Sequence, residues 1–383
     1  MVKAIFWVSI AALVYTFVGY PFAVWLLARF RGRRVDKQYQ TPTISVIIAC
    51  LNEEKRLETR IRNLQACDYP ARQLEILIVS DGSTDRTVEI ARSYETSGVR
   101  VLHYKERRGK PAALNLGVAQ ATGDLILFAD ARQSFEPQVM RELAANFADP
   151  TVGVVSGAYL ISRSEGSTVS EGAGFYWNYE SWLRKNEGLY NSIIGATGAI
   201  YAIRRHLWQP LPVETILDDV YTPLRIALAG YRVVFEENAI AHDSAPISAA
   251  REFARKARTL MGNYQLCQLM PRLLLPTSRL HIQFFSHKLL RLVAPFFMLF
   301  LLLSNGAILL QTSSRLEIII YSLTMSTQAA FYFSVLMGWR LSKTNSRIRL
   351  FNVAYVFSVM NAAALVGLFY FLFGKPNVWV RGD

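Results

Sequence analysis

The sequence predicts an α/β domain framed by transmembrane helices. Residues 4–28 carry no charged side chain over 25 positions, and three more long apolar runs close the chain. Between them, short β-branched runs alternate with helical stretches. Charge is also sparse: 19% of the 383 residues are Asp, Glu, Lys or Arg and 52% are apolar, with a mean hydropathy of +0.19. A soluble domain is normally about a quarter charged, so this composition excludes a purely soluble protein and a disordered chain. Cys50, Cys67 and Cys267 stand far apart without metal-ligand spacing, which excludes a disulfide scaffold and a zinc cluster.

About 20 apolar residues cross a hydrocarbon core of roughly 30 Å. The first run exceeds the ~7–15 apolar residues of a signal peptide and ends in Arg29, Arg31, Arg33 and Arg34, so it is expected to be a retained anchor. Residues 292–310, 318–339 and 350–373 are each long enough to span, the last being the weakest because Asn352 and Asn361 fall within it. Residues 29–37 hold five basic side chains and residues 251–291 hold eight, which together equal the net charge of +13. By the positive-inside rule these clusters put residues 29–291 in the cytoplasm. Arg340, Lys343, Arg347 and Arg349 mark a second cytoplasmic loop. The expected location is therefore the cell (inner) membrane, multi-pass, with membrane lipids as partners. Topology and anionic lipid account for the basic excess, and no nucleic acid is needed.

In the polar middle, residues 43–50 (TISVIIAC) predict a strand, and Asn52-Glu53-Glu54 opens a helical stretch to Gln65. Residues 74–80 predict a second strand stopping at Asp81-Gly82-Ser83-Thr84-Asp85, followed by a helix over 87–95. A third strand covers 99–104, a helix 111–121, and a fourth strand 124–129, closing at Asp130. Short buried strands alternating with helices imply βαβ units and a parallel sheet. Ligands in such sheets sit beyond the carboxyl ends of the strands, where Asn52, Asp81 and Asp130 all fall. Any one of these acids could instead cap a helix.

Six motifs in order resemble the family 2 glycosyltransferases: Leu51-Asn52-Glu53-Glu54, Asp81 to Asp85, Gly109 to Asn115, Phe128-Ala129-Asp130, Leu217-Asp218-Asp219, and Arg255-Lys256-Ala257-Arg258. The flanking spans are similar to the membrane-bound branch that contains cellulose, chitin, hyaluronan and poly-N-acetylglucosamine synthases. The resemblance implies a GT-A type, Rossmann-like nucleotide-diphospho-sugar transferase domain over residues 40–248. It is preceded by a transmembrane helix at 1–30 and followed by interfacial amphipathic helices at 249–291 and about three spans at 292–375.

The resemblance also assigns roles. Asp219 is the implied catalytic base of an inverting transfer. A helix cap at Asp218 or Asp219 is the bland alternative. Asn52, Glu53, Asp81, Lys110, Asp130, Arg255 and Arg258 are the implied nucleotide-sugar ligands, with Asp130 also binding Mg²⁺ or Mn²⁺. Guanidinium suits a diphosphate because it offers a planar fork of donors and stays charged, although a basic helix lying on anionic lipid explains Arg255 and Arg258 as well.

Three positions depart from the family pattern. The acid motif reads Leu-Asp-Asp rather than Thr-Glu-Asp. The Asp-x-Asp triplet reads Asp130-Ala131-Arg132, where Arg132 either neutralises phosphate or is a solvated charge. Thr259 replaces a tryptophan that helps bind the acceptor in processive synthases. Residues 195–201 (GATGAIY) are expected to line the acceptor side.

The donor is expected to be a UDP-sugar and the acceptor a glycan or a lipid-linked molecule. Transfer of one sugar to a polyprenyl phosphate and a non-catalytic nucleotide-binding role are the alternatives. Four spans leave room for a homodimer or an accessory subunit. A dinucleotide oxidoreductase is excluded, because Asn52-Glu53-Glu54 stands where a glycine-rich turn would follow the first strand.

Overall fold

The computed structural model describes residues 1–161, 168–243, 249–342 and 348–374, so Lys343 and Arg347 of the expected second basic loop lie outside it. The first half runs α1 (Val2–Arg31), β1 (Ile44–Cys50), α2 (Leu57–Gln65), β2 (Leu74–Asp81), α3 (Thr87–Arg92), β3 (Val99–Tyr104), α4 (Lys110–Gln120), β4 (Leu125–Ala129) and β5 (Ser134–Phe135). It continues with α5 (Val139–Ala145), β6 (Val152–Ile161), α6 (Thr168–Tyr190), β7 (Ile200–Arg204), α7 (Asp218–Leu228) and β8 (Arg232–Asp243). Four helices follow: α8 (Ala249–Leu269), α9 (His281–Gln311), α10 (Arg315–Leu341) and α11 (Arg349–Phe373). The chain divides into two compact units, one of Trp25–Ser162 with Glu180–Ser244, the other of Met1–Val24, Arg163–Tyr179 and Ala245–Asp383.

In the first unit, eight strands form one sheet in the order β3-β2-β1-β4-β7-β6-β8-β5. β1 runs parallel to β2, from Ile44 opposite Leu74 to Cys50 opposite Ser80, and parallel to β4 on its other side. Burial on both faces explains why these strands are continuous apolar runs rather than alternating ones. The expected parallel sheet holds for β1 to β4. Beyond them it does not: β7 is antiparallel to both β4 and β6, and β8 is parallel to β6. The sheet is therefore mixed.

Two helix starts also differ from the sequence reading. α2 begins at Leu57 rather than beside Asn52, because Asn52 adopts a left-handed backbone (φ 58°) that no helix can continue. α7 begins at Asp218, so Asp218 and Asp219 form its first turn; the cap position is Leu217, and no side chain caps it.

Among the described residues, four helices are long and apolar enough to cross a membrane: α1, most of which belongs to the second unit, and α9, α10 and α11, which lie within it. Phe6 of α1, Ile308 of α9 and Tyr321 of α10 are buried together, with Phe6 and Tyr321 edge to face at 4.9 Å. α1 and α9 each contain a π turn, Tyr15–Gly19 and Phe285–Leu289, and Tyr15 Oη lies 2.8 Å from Ser286 Oγ to join the two. Residues such as Leu310, Leu316 and Leu323 stay largely exposed, an apolar surface that suits lipid better than water.

Asn352 and Asn361 differ in how they are accommodated in α11: among the described residues the Asn352 Nδ2 has no hydrogen-bond partner. Both are buried within the unit, and Asn361 Nδ2 donates to Phe357 O one turn back at 2.9 Å. A Cβ on Gly367 would lie 2.9 Å from Ala257 O and from Met261 N, so α11 packs directly on the backbone of α8. Residues 249–291, expected as interfacial amphipathic helices, comprise α8, a 3₁₀ turn at Pro271–Leu274 and the first turns of α9.

Candidate active site

The site begins where β1 and β2 end. Asn52 Oδ1 accepts from Thr84 N at 2.8 Å, and Asn52 N donates to Ser83 Oγ at 3.1 Å. Glu53 N donates to Thr87 Oγ1 at 2.8 Å, while Asp85 accepts from Thr87 N at 3.0 Å and from Glu54 N at 3.2 Å. These bonds tie the two loops together and explain Asp85 as a local turn residue. The Glu53 carboxyl is held above the usual carboxylate range chiefly by burial, with Arg56, 3.3 Å away, opposing the rise.

Asp81, buried at the end of β2, accepts from Arg108 N at 2.7 Å and from Gly109 N at 2.9 Å. Gly109 has φ 91°, a conformation that costs glycine little. Asp81 thereby fixes the loop immediately before α4. Lys110, the next residue, opens that helix.

Lys110 is the centre of the site. Its Nζ lies 3.1 Å from Asp130 Oδ1 at the end of β4 and 3.6 Å from Asp218 Oδ2 at the start of α7. Burial works to lower its pKa, but the carboxylates of Asp130, Asp218 and Asp219 outweigh burial and raise it above the usual lysine range. Asp218 Oδ2 is buried and receives no hydrogen bond among the described residues.

Asp219 sits against the chain at Gly198. A Cβ there would fall 2.7 Å from Asp219 Oδ2, and Asp219 O accepts from Ala196 N at 2.7 Å. Gly198, having no Cβ, thus makes room for the carboxylate.

Two residues of this cluster were given no individual role from the sequence: Asp218, named within the Leu217-Asp218-Asp219 motif and as a possible helix cap, and Tyr201, named only within the 195–201 run expected to line the acceptor side. The Tyr201 hydroxyl is buried without a hydrogen-bond partner among the described residues. Its pKa is driven well upward by burial first, then by Asp218, Asp219 and Asp130, which keeps it a neutral donor. Its ring stacks on Phe128 at 4.6 Å, and Trp208 lies 5.4 Å from the same Phe128. Tyr201 is the last residue of the GATGAIY run, and that run was the available signal.

Asp130, Asp218 and Asp219 therefore converge on Lys110, while Asp81 and Asn52 stand one step back and hold the loops that present it. Arg255 and Arg258 lie on α8 in the other unit, where Arg255 pairs with Glu252 at 2.7 Å. Thr259 is turned back into α8, donating to Arg255 O at 3.0 Å.

No three His, Cys, Asp or Glu side chains are grouped to cage a metal among the described residues. The hard carboxylate oxygens of Asp130 still suit Mg²⁺ or Mn²⁺, ions that commonly take one or two protein carboxylates and complete their shell with phosphate oxygens and water. The residues fit a cation held jointly with a diphosphate, not a preformed cage.

A mixed sheet with an acidic cluster at its strand ends defines a GT-A nucleotide-sugar transferase fold. A mannosyltransferase from Pyrobaculum calidifontis, solved with GDP-Man and Mn²⁺, superposes with a TM-score of 0.75 at 21% identity, covering 98% of this chain and all of that one. Residues 45–209 match the model described as glycosyl transferase family 2, less than half of the 383-residue chain. Among curated relatives, the poly-beta-1,6-N-acetyl-D-glucosamine synthase of Staphylococcus aureus is 25% identical over 232 residues, 58% of this chain and 55% of the synthase. Glycosyltransferase AglE of Haloferax volcanii is 28% identical over 218 residues, 55% of this chain and 68% of AglE. The chain thus spans about half the length of the synthases it matches.

Proposed function

We propose that the chain is an inverting glycosyltransferase that moves a sugar from a nucleoside diphosphate to a hydroxyl of a glycan or lipid-linked acceptor at the cytoplasmic membrane face. The observation carrying this reading is the convergence of Asp130, Asp218 and Asp219 on Lys110 at the strand ends. Inversion by single displacement needs one base and no covalent carboxylate. Asp219, seated against Gly198, takes that role: a carboxylate within about 3 Å of the acceptor hydroxyl receives its proton. Asp130 contributes the protein ligand for a divalent cation, whose chemistry when bound is to neutralise the leaving diphosphate. Lys110 holds Asp130 and Asp218 in place, and Asp81 and Asn52 fix the loops around it. Arg255 and Arg258 are assigned to the diphosphate by the family resemblance.

A UDP-sugar is the first choice of donor from the motifs. GDP-mannose competes, since the solved mannosyltransferase was held with it. The name of the Staphylococcus relative supports a polysaccharide product. Thr259, bonded within its own helix where a stacking ring would serve a growing chain, favours a second reading, transfer of one sugar to a lipid.

Purified protein is to be given UDP-N-acetylglucosamine, UDP-glucose and GDP-mannose with membrane lipid, and release of the nucleoside diphosphate followed. Release from one donor is expected. A product ladder identifies a polymerase and a single organic-extractable species identifies lipid transfer; no release from any donor removes the enzymatic reading. Stripping divalent ions with chelator is expected to stop release, and undiminished turnover would contradict the cation at Asp130. Gly198→Ala places a methyl 2.7 Å from Asp219 Oδ2. It is expected to cost about 100-fold in transfer by displacing the base while leaving donor affinity within about twofold. An unchanged rate would separate Asp219 from the chemistry.

A further inference from the structure

We propose that Arg132, which stands where the family motif carries its second acid, is a ligand of the donor's diphosphate, and that Asp243 is the residue that positions it. The inference deepens the transferase reading and rests on it. Arg132 follows Asp130 by two residues beyond the end of β4, and Asp243 ends β8. Ser134 pairs with His242 across β5 and β8, which brings the two segments side by side.

Asp243 is buried, and three donors meet on one of its oxygens: Arg132 Nη2, Gln133 Nε2 at 3.0 Å and Tyr159 Oη all point to Oδ2. Oδ1 is buried without a hydrogen-bond partner. A buried carboxylate holds its charge only when paired, and Arg132 supplies the pairing cation. The arginine spends one nitrogen on this bond. Its side chain is 41% exposed, and among the described residues Nε and Nη1 meet no acceptor.

Arg132 also lies within electrostatic range of the Glu53 carboxyl, whose pKa it works to lower while Asp130 works to raise it. A guanidinium anchored at one corner, with two donors turned outward beside a carboxylate, suits bidentate capture of a phosphate. The missing acid is thus replaced by a fixed guanidinium that meets the diphosphate directly, in addition to the divalent ion assigned to Asp130.

The test is nucleotide affinity in chelator. UDP, GDP, UMP, GMP and inorganic diphosphate are titrated against the full-length protein in detergent with divalent ions removed. Wild type is expected to retain measurable affinity for the diphosphates. Arg132→Gln is expected to weaken the bound nucleoside diphosphate and inorganic diphosphate by tenfold or more, and the monophosphate by less. Arg132→Lys should recover part of the loss. Asp243→Asn, which keeps the size of the side chain and one acceptor oxygen but removes the charge that pairs with Arg132, should show the same diphosphate-selective weakening at smaller size. Equal weakening of mono- and diphosphates, or none, overturns the role of Arg132 and leaves the transferase reading standing. If wild type binds no nucleotide with or without Mg²⁺ or Mn²⁺, both fall.

Discussion

Asp219→Asn is expected to reduce sugar transfer by 10²- to 10⁴-fold while leaving nucleotide affinity nearly intact. The amide keeps the side chain's size beside Gly198, where a Cβ would lie only 2.7 Å from Oδ2, so the pocket needs no repacking. It removes the capacity to take a proton. The measurement is single-turnover release of nucleoside diphosphate alongside a binding titration. A variant that turns over at more than a tenth of the wild-type rate removes Asp219 from the role of base. One that loses donor affinity instead makes it a binding residue. Asp218→Asn serves as the control: its carboxyl shares the same lysine, and in the proposed scheme it takes no proton.

Lys110→Gln is expected to be the most destabilising single change at the site. The ammonium is the cation 3.1 Å from Asp130 and 3.6 Å from Asp218. Removing one partner of a buried ion pair typically costs several kcal/mol; with Asp130 partly exposed, about 3 kcal/mol is a fair expectation. The loss should appear as a lower unfolding midpoint in detergent. Adding Asp218→Asn in the same chain should restore part of it, because the uncompensated charge is then gone.

The pH dependence has a definite sign. A lysine whose folded pKa is raised contributes stability that is complete below its ordinary value of 10.5 and is lost as pH climbs through the higher folded value. Wild type and Lys110→Gln should therefore differ undiminished from neutral pH up to mildly alkaline conditions. A gap that closes at neutral pH would show that the ammonium is not what holds the cluster.

The four parallel strands and their connecting helices were legible because burial on both faces leaves uninterrupted apolar runs, as in residues 44–50 and 74–79. The four membrane-length helices were legible for a similar reason: nothing but length and lack of charge is needed to recognise them. The antiparallel insertion of β7 between β4 and β6 was not. It depends on the pairing of Phe128 with Tyr201 across more than 70 residues, and register over that distance has no local signature.

The site divides in the same way. Asp130 and Asp219 could be found from motifs. That Lys110 faces them, that Asp81 turns to the backbone of Arg108 and Gly109, and that Asp218 and Tyr201 complete the cluster follow from tertiary placement alone. Asp243 ends an unremarkable strand (AIAHD), and only its burial beside Arg132 distinguishes it.

The contact at Gly367 couples two properties that are usually separate. Because that glycine rests on the main chain at Ala257 and Met261, the helix bearing Arg255 and Arg258 is keyed to α11 with no cushioning side chain between them. A helix of 25 residues adapts to a thinner or thicker bilayer by tilting. Where α11 crosses a bilayer, tilting is expected to carry the two guanidinium groups with it, so that their position follows lipid chain length.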